Sequence, residues 1–402
     1  MSRKKNKLKN KEQNKLQDKY LLFTFYAVFI AVVFIIYGKT KSYDFAIDDK
    51  IILVDNIYVI DGISGFTKLI DAAFNNDMSV PGVTRPVAMF SHALDVSLFG
   101  MEAGKHHQMN IFYYFILLFL LFYLLRKYFI PNYSVFLSFL IVLLFIAHPV
   151  HVESVANIKG RDDILSFIFG TLAFIFFFRN LKENSIINRI LIFLSLALAF
   201  LSKETGIVFA LLLPISYYYF TEVDFKKAFL STYMYLAFGI LLVIIRFSLF
   251  TPPPEYINKY NNSILDLESP LQQLAMTLRI LWHYLQISLW PQPLIWDYSF
   301  GHFDFNKYTN FLAVVSALVY SGLLLWSLLK LKSKNMISFG IIFFLLALSP
   351  VSNLFIKIAT TFGERLLFIK KIFHPKLLSF SLFLDCFTIY YTSSTCRICG
   401  KY

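Results

Sequence analysis

Residues 20–37 read YLLFTFYAVFIAVVFIIY, and Thr24 is the only residue among them that is neither aliphatic nor aromatic. About 20 apolar residues in a helix cross the hydrocarbon core of a bilayer, which is roughly 30 Å thick. The chain is predicted to be an all-α polytopic membrane protein with about nine spans, some of them short, as a thinned bilayer or contact with protein allows. The eight other mainly apolar blocks are residues 111–125, 135–147, 164–178, 190–201, 207–220, 228–245, 311–329 and 336–348.

The composition of the chain also indicates a membrane protein. Of its 402 residues, 57% are hydrophobic and 16% are charged, and the mean hydropathy is +0.60. A soluble domain carries about 25% charged residues. The apolar residues also stand in long blocks instead of alternating with polar ones, so a soluble fold is excluded.

Of the net charge of +13, residues 1–19 carry +6, since eight basic residues stand there against Glu12 and Asp18, directly before the first apolar block. Basic residues beside a span favour the cytoplasmic side, so residues 1–19 are predicted to be a basic cytoplasmic tail. A nucleic-acid-binding arm is the alternative, and no nucleic-acid partner is predicted. Residues 37–41, YGKTK, offer no small-residue cleavage site, so the first block is expected to remain as an anchor. The basic residues of the tail are Arg3, Lys4, Lys5, Lys7, Lys9, Lys11, Lys15 and Lys19.

Passing the nine blocks alternately through the membrane, from a cytoplasmic N-terminus, separates two classes of loop. The inner loops are short and hold eighteen Lys and Arg residues with the tail, whereas fourteen are spread over much longer outer loops. This asymmetry supports the chosen orientation. The outer side then holds residues 38–105, 148–163 and 251–310, with a shorter piece at 350–365, and any chemistry is expected there.

Residues 271–290 test this scheme because they could form a tenth span. A tenth span would move the basic turn at 330–334 to the outer side, against the charge asymmetry. The segment is therefore predicted to be an amphipathic helix that lies on the outer surface of the membrane. Its polar residues are Gln272, Gln273, Arg279, His283 and Gln286.

Other common site patterns are absent from the sequence. It contains no glycine-rich phosphate loop, no heptad run and no internal repeat. All three cysteines lie after residue 385, and the C-x-x-C pair Cys396–Cys399 lacks a second pair or a histidine that would complete a zinc site. Neither a metal nor a cofactor is predicted.

Two adjacent carboxylates, Asp48 and Asp49, follow the first apolar block on the outer side. A carboxylate at the membrane surface can serve as a general base, so both are candidate catalytic residues. The alternative is a solvated acidic turn that caps a helix. Arg85-Pro86 lies further along the same loop, and His106-His107 stands at the mouth of the next block, where polar residues are often merely interfacial.

The outer segment 148–163 has the sequence HPVHVESVANIKGRDD, which is unusually polar for a connector between two apolar blocks. Such a density of polar residues favours a binding site. Lys159 and Arg161 flank Gly160, and both are predicted to contact a phosphate group.

A metal cluster of His148, His151 and Glu153 is the alternative interpretation of the same segment. The spacing lacks an open-site pattern such as H-E-x-x-H, so the phosphate site is preferred.

Two further acid–base pairs fall on the predicted outer face. Lys203-Glu204 stands between two short apolar blocks, and Glu364-Arg365 follows the last block. Each pair alone is equally consistent with a simple ion pair. Their clustering on one face with the other motifs is the informative feature.

Together these motifs resemble those of the transmembrane O-mannosyltransferase family whose members also carry tetratricopeptide repeats, in the GT-C class of glycosyltransferases. The run in the second outer loop is the specific one, because isolated acidic pairs are common. In order over roughly residues 20–369, the matching stretches are Asp48-Asp49, Arg85-Pro86, HPVHVE (148–153), GRDD (160–163), SKETG (202–206), LIWDYS (294–299) and GERLL (363–367).

The resemblance implies a GT-C-type helix bundle with long outer loops and surface-lying helices. It also implies transfer of a sugar, typically mannose, from a polyprenyl-phosphate carrier to a hydroxyl group, with inversion, on the non-cytoplasmic face. The expected partners are this lipid-linked donor and a protein acceptor with Ser or Thr hydroxyls.

Residue roles follow from this hypothesis. The candidate catalytic carboxylates are Asp48, Asp49 and Glu153. Cations stabilise the charge that develops on a leaving phosphate, and the candidates are Lys159, Arg161 and Arg365. Residues expected to support these or to contact the acceptor are Arg85, His148, His151, Asp163, Lys203, Glu204 and Glu364.

From Lys370 onward the sequence departs from the family pattern, which would continue with another span and a repeat array. Residues 370–402 are predicted to be an off-pattern tail that arises from a frame change or truncation. A GT-C transferase that acts on a lipid or polysaccharide, an inactive remnant and a secondary transporter are the alternatives. A transporter should show half-repeats and charges near the membrane midplane, and neither is seen. The composition favours a bacterial inner membrane, or the endoplasmic reticulum membrane if the source is eukaryotic.

Overall fold

The computed structural model describes residues 2–75, 77, 80–249, 260–295, 298, 303 and 307–369. The predicted tail at 370–402 and part of the LIWDYS run therefore lie outside the described residues.

Every regular element in these ranges is a helix, which confirms the predicted all-α class. The α-helices are α1 (Ser2–Tyr37), α2 (Ile47–Asp49), α3 (Ile57–Ile60), α4 (Ile63–Phe74), α5 (Pro86–Phe99), α6 (Ala103–Leu124), α7 (Val135–Ala147), α8 (Val152–Ala156), α9 (Arg161–Glu183), α10 (Ile186–Ser202), α11 (Ile207–Phe220), α12 (Phe225–Leu249), α13 (Pro270–Leu289), α14 (Lys307–Leu329) and α15 (Met336–Leu348). Single 3-10 turns lie at Gly38–Ser42, Pro149–His151, Ile158–Gly160, Glu204–Gly206, Ser263–Asp266, Leu331–Ser333, Ser349–Val351 and Glu364–Leu367. Two π-helical turns lie at Lys50–Val54 and Leu125–Phe129.

Each of the nine apolar blocks coincides with a different helix. Five helical segments are long and apolar enough to cross a membrane, and the bent pair α7–α8, with an angle of 61°, adds a sixth if it forms one span. Helices α10, α11 and α15 are shorter apolar helices. The chain is thus a multi-pass membrane protein, and the count of nine spans stays a prediction. The five segments are Lys19–Ser42, Ala103–Phe129, Ile158–Glu183, Phe225–Leu249 and Thr309–Leu329.

Local capping explains where several of these helices begin. The Ser134 side chain accepts a hydrogen bond from the Phe136 amide, which starts α7. The Asn335 side chain accepts from the amides of Ile337 and Ser338, which starts α15. Such caps satisfy amides that have no partner within the helix.

The connections divide between the two ends of the bundle. At one end, the turn after α11 meets the turn after α14, because the Lys334 ammonium donates to the carbonyl oxygens of Thr221 and Val223. The Tyr218 hydroxyl donates to the Leu331 carbonyl at the same end. The long connections and their motifs meet at the opposite end, as the alternating arrangement of blocks predicts.

Aromatic rings fill much of the main core. Phe129 stacks on Phe220 with ring centroids 4.0 Å apart, and Phe25 stacks on Phe139 at 4.1 Å. These contacts join α6, α11, α1 and α7. Stacked aromatic pairs add specific geometry to the dispersion attraction that holds helices together in a bilayer.

Helix α13 covers the segment predicted to lie on the membrane surface. Its buried residues Met276, Ile280 and Tyr284 pack in a second core that also includes residues of α15 and of the turn Glu364–Leu367. Helix α13 also packs along α14, and the Tyr320 hydroxyl of α14 donates to the Leu281 carbonyl of α13. Helix α13 is not among the segments that are apolar enough to cross a membrane, and its surface location stays a prediction.

Candidate functional site

The polar ends of several distant segments converge on one network of ion pairs. The network draws on the first two outer connections, on the junction of α10 with α11, on the end of α12 and on the turn Glu364–Leu367 that follows α15. In the described part of the chain it contains equal numbers of acidic and basic side chains. The bases are Arg85, Lys159, Lys203, Arg246 and Arg365, and the acids are Asp48, Glu153, Asp162, Asp163 and Glu204.

Asp48 lies between two basic side chains. Its Oδ2 accepts a hydrogen bond from Lys159 Nζ at 2.7 Å and another from Arg365 Nη1 at 3.1 Å. Its side chain is 27% exposed, so the carboxylate can be reached from solvent. Burial alone would raise the pKa of Asp48, but Lys159 and Arg365 together hold this pKa below its usual value. Asp48 is therefore an accessible, ionised carboxylate.

Asp49 has a different environment from its neighbour. It is fully buried, and its two oxygens accept hydrogen bonds from the backbone amides of Lys159, at 2.8 Å, and Ala46, at 3.1 Å. Burial raises the pKa of Asp49 to about 6, against the effect of these amides. Asp49 thus ties the first outer loop to the second, and of the two candidate bases only Asp48 is exposed.

Arg365 connects Asp48 to Glu153. The Arg365 amide donates to Glu153 Oε2 at 2.8 Å, and the Arg365 Nε lies 3.6 Å from Glu153 Oε1. Burial alone would lower the pKa of Arg365, but the nearby carboxylates of Glu153, Asp162, Asp48 and Asp163 raise it. Arg365 is therefore a permanent cation at the centre of the network, and Glu153 helps to fix its position.

Arg85 links the first outer loop to two other parts of the bundle. Its Nη1 lies 2.5 Å from Asp162 Oδ2, and its Nη2 lies 3.0 Å from Glu204 Oε2. Glu204 also binds Arg246 of α12, whose Nη1 donates to the Thr84 carbonyl at 2.8 Å. Arg85 is thus held by Asp162 of α9 and by Glu204 of the turn before α11, and its own side chain stays 27% exposed.

Lys203 joins the start of α9 to the end of α10. Its Nζ lies 2.5 Å from Asp163 Oδ2 and 3.5 Å from Asp162 Oδ1. All three side chains are almost completely buried. A buried ammonium shared by two carboxylates satisfies charges that would otherwise be costly at this depth. The contacts of Lys203 with the two aspartates therefore fix how α9 and α10 approach each other beneath the exposed part of the network.

Arg161 lies elsewhere, although it was predicted to contact a phosphate. It is fully buried, and its guanidinium binds Asp95 Oδ2 at 2.5 Å and Asn110 Oδ1 at 2.7 Å. It also donates to the carbonyl oxygens of Ser91 and His106. With its donors used in the core between α5, α6 and α9, Arg161 has a structural position, and the phosphate role is better suited to Lys159 and Arg365.

The two histidines of the second outer loop also have structural contacts. The His148 Nδ1 accepts from the Val150 amide at 3.3 Å, and so caps the turn that follows α7. His151 is fully buried, and its Nδ1 lies 2.6 Å from the Phe145 carbonyl oxygen. In the ranges that the structure describes, no three His, Cys, Asp or Glu side chains are grouped to hold a metal ion. The metal alternative for His148, His151 and Glu153 is therefore not supported.

Glu364 differs from its neighbour Arg365 because it faces the second core. Its Oε1 accepts from the Tyr298 hydroxyl at 2.6 Å and from the Ile295 amide at 2.9 Å. Burial raises the pKa of Glu364 to about 7. Glu364 thus anchors the segment that carries the LIWDYS run beside the network.

A narrow cleft opens beside Arg365, with about 290 Å³ of empty space including its mouth. Its walls combine polar groups with an apolar surface. The lining residues are Asp163, Thr205, Val208, Ala347, Arg365, Leu366 and Ile369.

Two members of the network were not predicted as site residues. Asp162 stands in the GRDD run, but only its neighbour Asp163 was chosen from this run. Arg246 stands near the end of an apolar block, and a charged residue at such a position is a signal for a site at the membrane edge. Their ion pairs with Arg85 and Glu204 connect segments that are far apart in the sequence.

The curated proteins with sequences similar to this chain are named protein O-mannosyl-transferases. A mouse protein named protein O-mannosyl-transferase TMTC1 is 33% identical over 189 residues, which is 42% of this chain and 19% of the mouse protein. A human protein named protein O-mannosyl-transferase TMTC3 is 24% identical over 331 residues, or 71% of this chain and 34% of the human protein. The Caenorhabditis elegans protein O-mannosyl-transferase F38B6.6 is 26% identical over 293 residues, or 71% and 40% of the two chains.

The matched part of this chain thus spans between a fifth and two fifths of the length of these relatives. No family model matches the chain, and no solved structure matches it. The resemblance that the motifs indicate is confirmed: the curated relatives of this multi-pass membrane chain are protein O-mannosyl-transferases.

Proposed function

We propose that this chain is a membrane glycosyltransferase that transfers mannose from a polyprenyl-phosphate carrier to a Ser or Thr hydroxyl of a protein. The names of its relatives supply the sugar and the class of acceptor. The carrier, the inversion at the sugar and the location of the site on the non-cytoplasmic face are part of the same proposal. The N-terminus is then cytoplasmic, as the basic tail suggests.

One observation carries this proposal. Asp48 is a partly exposed carboxylate that directly contacts two cations, Lys159 and Arg365, beside a cleft with apolar walls. An acceptor hydroxyl needs a base, and a departing phosphate needs positive charge. Both reacting groups bond to the same anomeric carbon, from opposite sides, so the base and the cations must line one small site with the sugar between them.

The chemistry is a single displacement. The Asp48 carboxylate takes the proton of the acceptor hydroxyl while the hydroxyl oxygen attacks the anomeric carbon. The bond from that carbon to the phosphate oxygen breaks, and the electron pair leaves with the polyprenyl phosphate. Lys159 and Arg365 stabilise the added negative charge on this phosphate. Attack opposite to the leaving group inverts the anomeric centre, as with single-displacement glycosidases.

The test is mannose transfer by the purified chain in lipid nanodiscs, with radiolabelled polyprenyl-phosphate mannose and a Ser/Thr-rich peptide. Asp48→Asn should lower the transfer rate by a factor of about 10² to 10⁴, because a general base is lost. The exposed Asp71→Asn in the same loop is the matched control and should keep the parent rate.

The outcomes separate the alternatives. Label on added lipid or glycan but not on peptide would favour the other acceptor class. Retention of the parent rate by Asp48→Asn would remove Asp48 as the base. Absence of transfer by a well-folded parent to every acceptor would favour an inactive remnant or a transporter.

A further inference from the structure

In the proposed site, Asp48 and the donor phosphate need the same two cations. Lys159 Nζ and Arg365 Nη1 both point at a single oxygen, Oδ2 of Asp48. A phosphate oxygen gripped by these cations would occupy the position that this carboxylate oxygen now holds. The base and the leaving group therefore compete for one pair of partners.

We propose that the contact of Asp48 with Lys159 and Arg365 is an autoinhibitory latch that the donor phosphate opens. This inference rests on the proposed function. While the latch is closed, Asp48 is engaged in ion pairs with Lys159 and Arg365. These two cations are then not available to the donor phosphate. Once the phosphate takes the cations, Asp48 is free to accept the proton of the acceptor hydroxyl.

The surroundings of Asp48 allow this exchange without a movement of the loop. The next residue, Asp49, is fixed by the backbone amides of Lys159 and Ala46, so the chain is held on one side of Asp48. The side chains of Asp48, Lys159 and Arg365 are 27%, 24% and 27% exposed, so rotation of side chains suffices. Arg365 keeps its contact with Glu153 in either state, which leaves it in position for the phosphate.

The latch imposes an order on the reaction. The acceptor hydroxyl finds a free base only after the donor is bound, since the carboxylate is otherwise shared between two cations. Partly exposed ion pairs are weak, so the latch opens reversibly and lowers donor affinity by a modest factor. A carrier without its sugar has the same phosphate and should open the latch equally well.

The test measures the binding of sugar-free polyprenyl phosphate to the full chain in nanodiscs at fixed salt. Asp48→Asn should bind this carrier about three- to tenfold more tightly than the parent, because the competing carboxylate is gone. Asp44→Asn is the control for charge alone. It removes one negative charge four residues away in the same loop, at an exposed side chain outside the network, and it should change the affinity less than about twofold.

Unchanged or weaker carrier binding by Asp48→Asn would overturn the latch, as would equal tightening by Asp44→Asn. Asp48→Ser is the second variant if the asparagine variant does not fold, and the same tightening is expected. The assay involves no mannose, so its result is independent of transfer. A parent that transfers mannose while Asp48→Asn binds no more tightly would remove the latch and leave the proposed function standing. Tighter carrier binding by Asp48→Asn, when the parent transfers no mannose, would remove the proposed function. It would leave the competition between Asp48 and the carrier phosphate standing.

Discussion

Arg161 shows how one residue can belong to a motif without belonging to the exposed site. Its guanidinium is fully buried and contacts Asp95 and Asn110, which lie on two other helices. A lysine ammonium is a compact donor that cannot reproduce the forked geometry of these contacts. We therefore expect Arg161 to matter for folding rather than for the phosphate.

The corresponding prediction concerns Arg161→Lys. This variant should unfold at a lower temperature than the parent, by several degrees, because hydrogen bonds in a buried network are lost. Its folded fraction, isolated by size exclusion, should bind polyprenyl phosphate as the parent does. Arg179→Lys, at an exposed pair with Glu183, is the matched control and should leave the midpoint unchanged. Weaker carrier binding at an unchanged midpoint would return Arg161 to the phosphate site.

Glu364 should make the stability of the folded chain depend on pH. The pKa of Glu364 in the folded chain is about 7, which is above its ordinary value of 4.5. Between these two pH values the folded chain therefore keeps a proton on Glu364 that the unfolded chain has lost. The stability from this proton is complete below about pH 4.5 and is lost as the pH rises through 7. The temperature at which half of the parent protein is unfolded should therefore decrease as the pH is raised from 5 to 8.

Glu364→Gln isolates this contribution, because the amide oxygen can still accept from the Tyr298 hydroxyl. The difference between the midpoints of parent and variant should change over the pH range 5 to 8, and the variant should show the flatter profile. The exposed Glu222→Gln, at the opposite end of the bundle, should follow the parent profile. Parallel profiles for parent and Glu364→Gln would show that Glu364 does not titrate in this range.

At the scale of elements, α9 and α11 approach closely at Gly170. A Cβ atom added at Gly170 would lie 2.3 Å from the ring of Phe209, which is much closer than any real contact. The ring is fully buried and packs against Phe167 and Phe174, so it has little room to move. Small residues permit such close approach of helices in membranes.

Gly170→Ala should therefore lower the thermal midpoint, through overpacking that costs about 1–3 kcal/mol. Gly322→Ala is the matched control in another span, where a new Cβ meets no atom within 4 Å. The control should be neutral or stabilising, because alanine is the better helix former by about 1 kcal/mol. Equal midpoints for Gly170→Ala and the parent would show that the two helices can separate there without cost.

The elements could be predicted from the sequence more completely than the site. Hydropathy is a local property, so every apolar block coincides with a helix. The ion pairs are not local. Arg161 binds Asn110, 51 residues away, instead of its neighbouring aspartates, and spacing in the sequence does not reveal such a choice. Asp48 and Asp49 have the same side chain, and only the fold makes one exposed and the other buried.

At the scale of the whole molecule, six of the seven motif stretches contribute a side chain to the network, and the described part of the LIWDYS run packs in the second core instead. That result depends on the alternating direction of the helices, which the charge pattern of the loops indicated. The side of the membrane on which the network lies remains a prediction. It can be tested with single cysteines placed at opposite ends of the bundle.

In a background without the three native cysteines, Asp71→Cys in the first outer loop should react with an impermeant thiol reagent in intact cells. Lys332→Cys, in the turn after α14, should react only after the membrane is permeabilised. Both positions are exposed, so access and not burial decides the result. The opposite labelling pattern would reverse the proposed orientation and move the network to the cytoplasmic side.

The pairing of Asp48 with Arg365 also has a consequence in time. The two residues are 317 positions apart, and a ribosome adds about 5–20 residues per second, so Arg365 is made roughly 15 to 65 s after Asp48. Between the synthesis of Arg246 and that of Arg365, an interval of roughly 6 to 24 s, the growing chain holds all five acids of the network but only four of its bases. The unfinished network therefore carries an unmatched negative charge, and synthesis of the turn Glu364–Leu367 removes it.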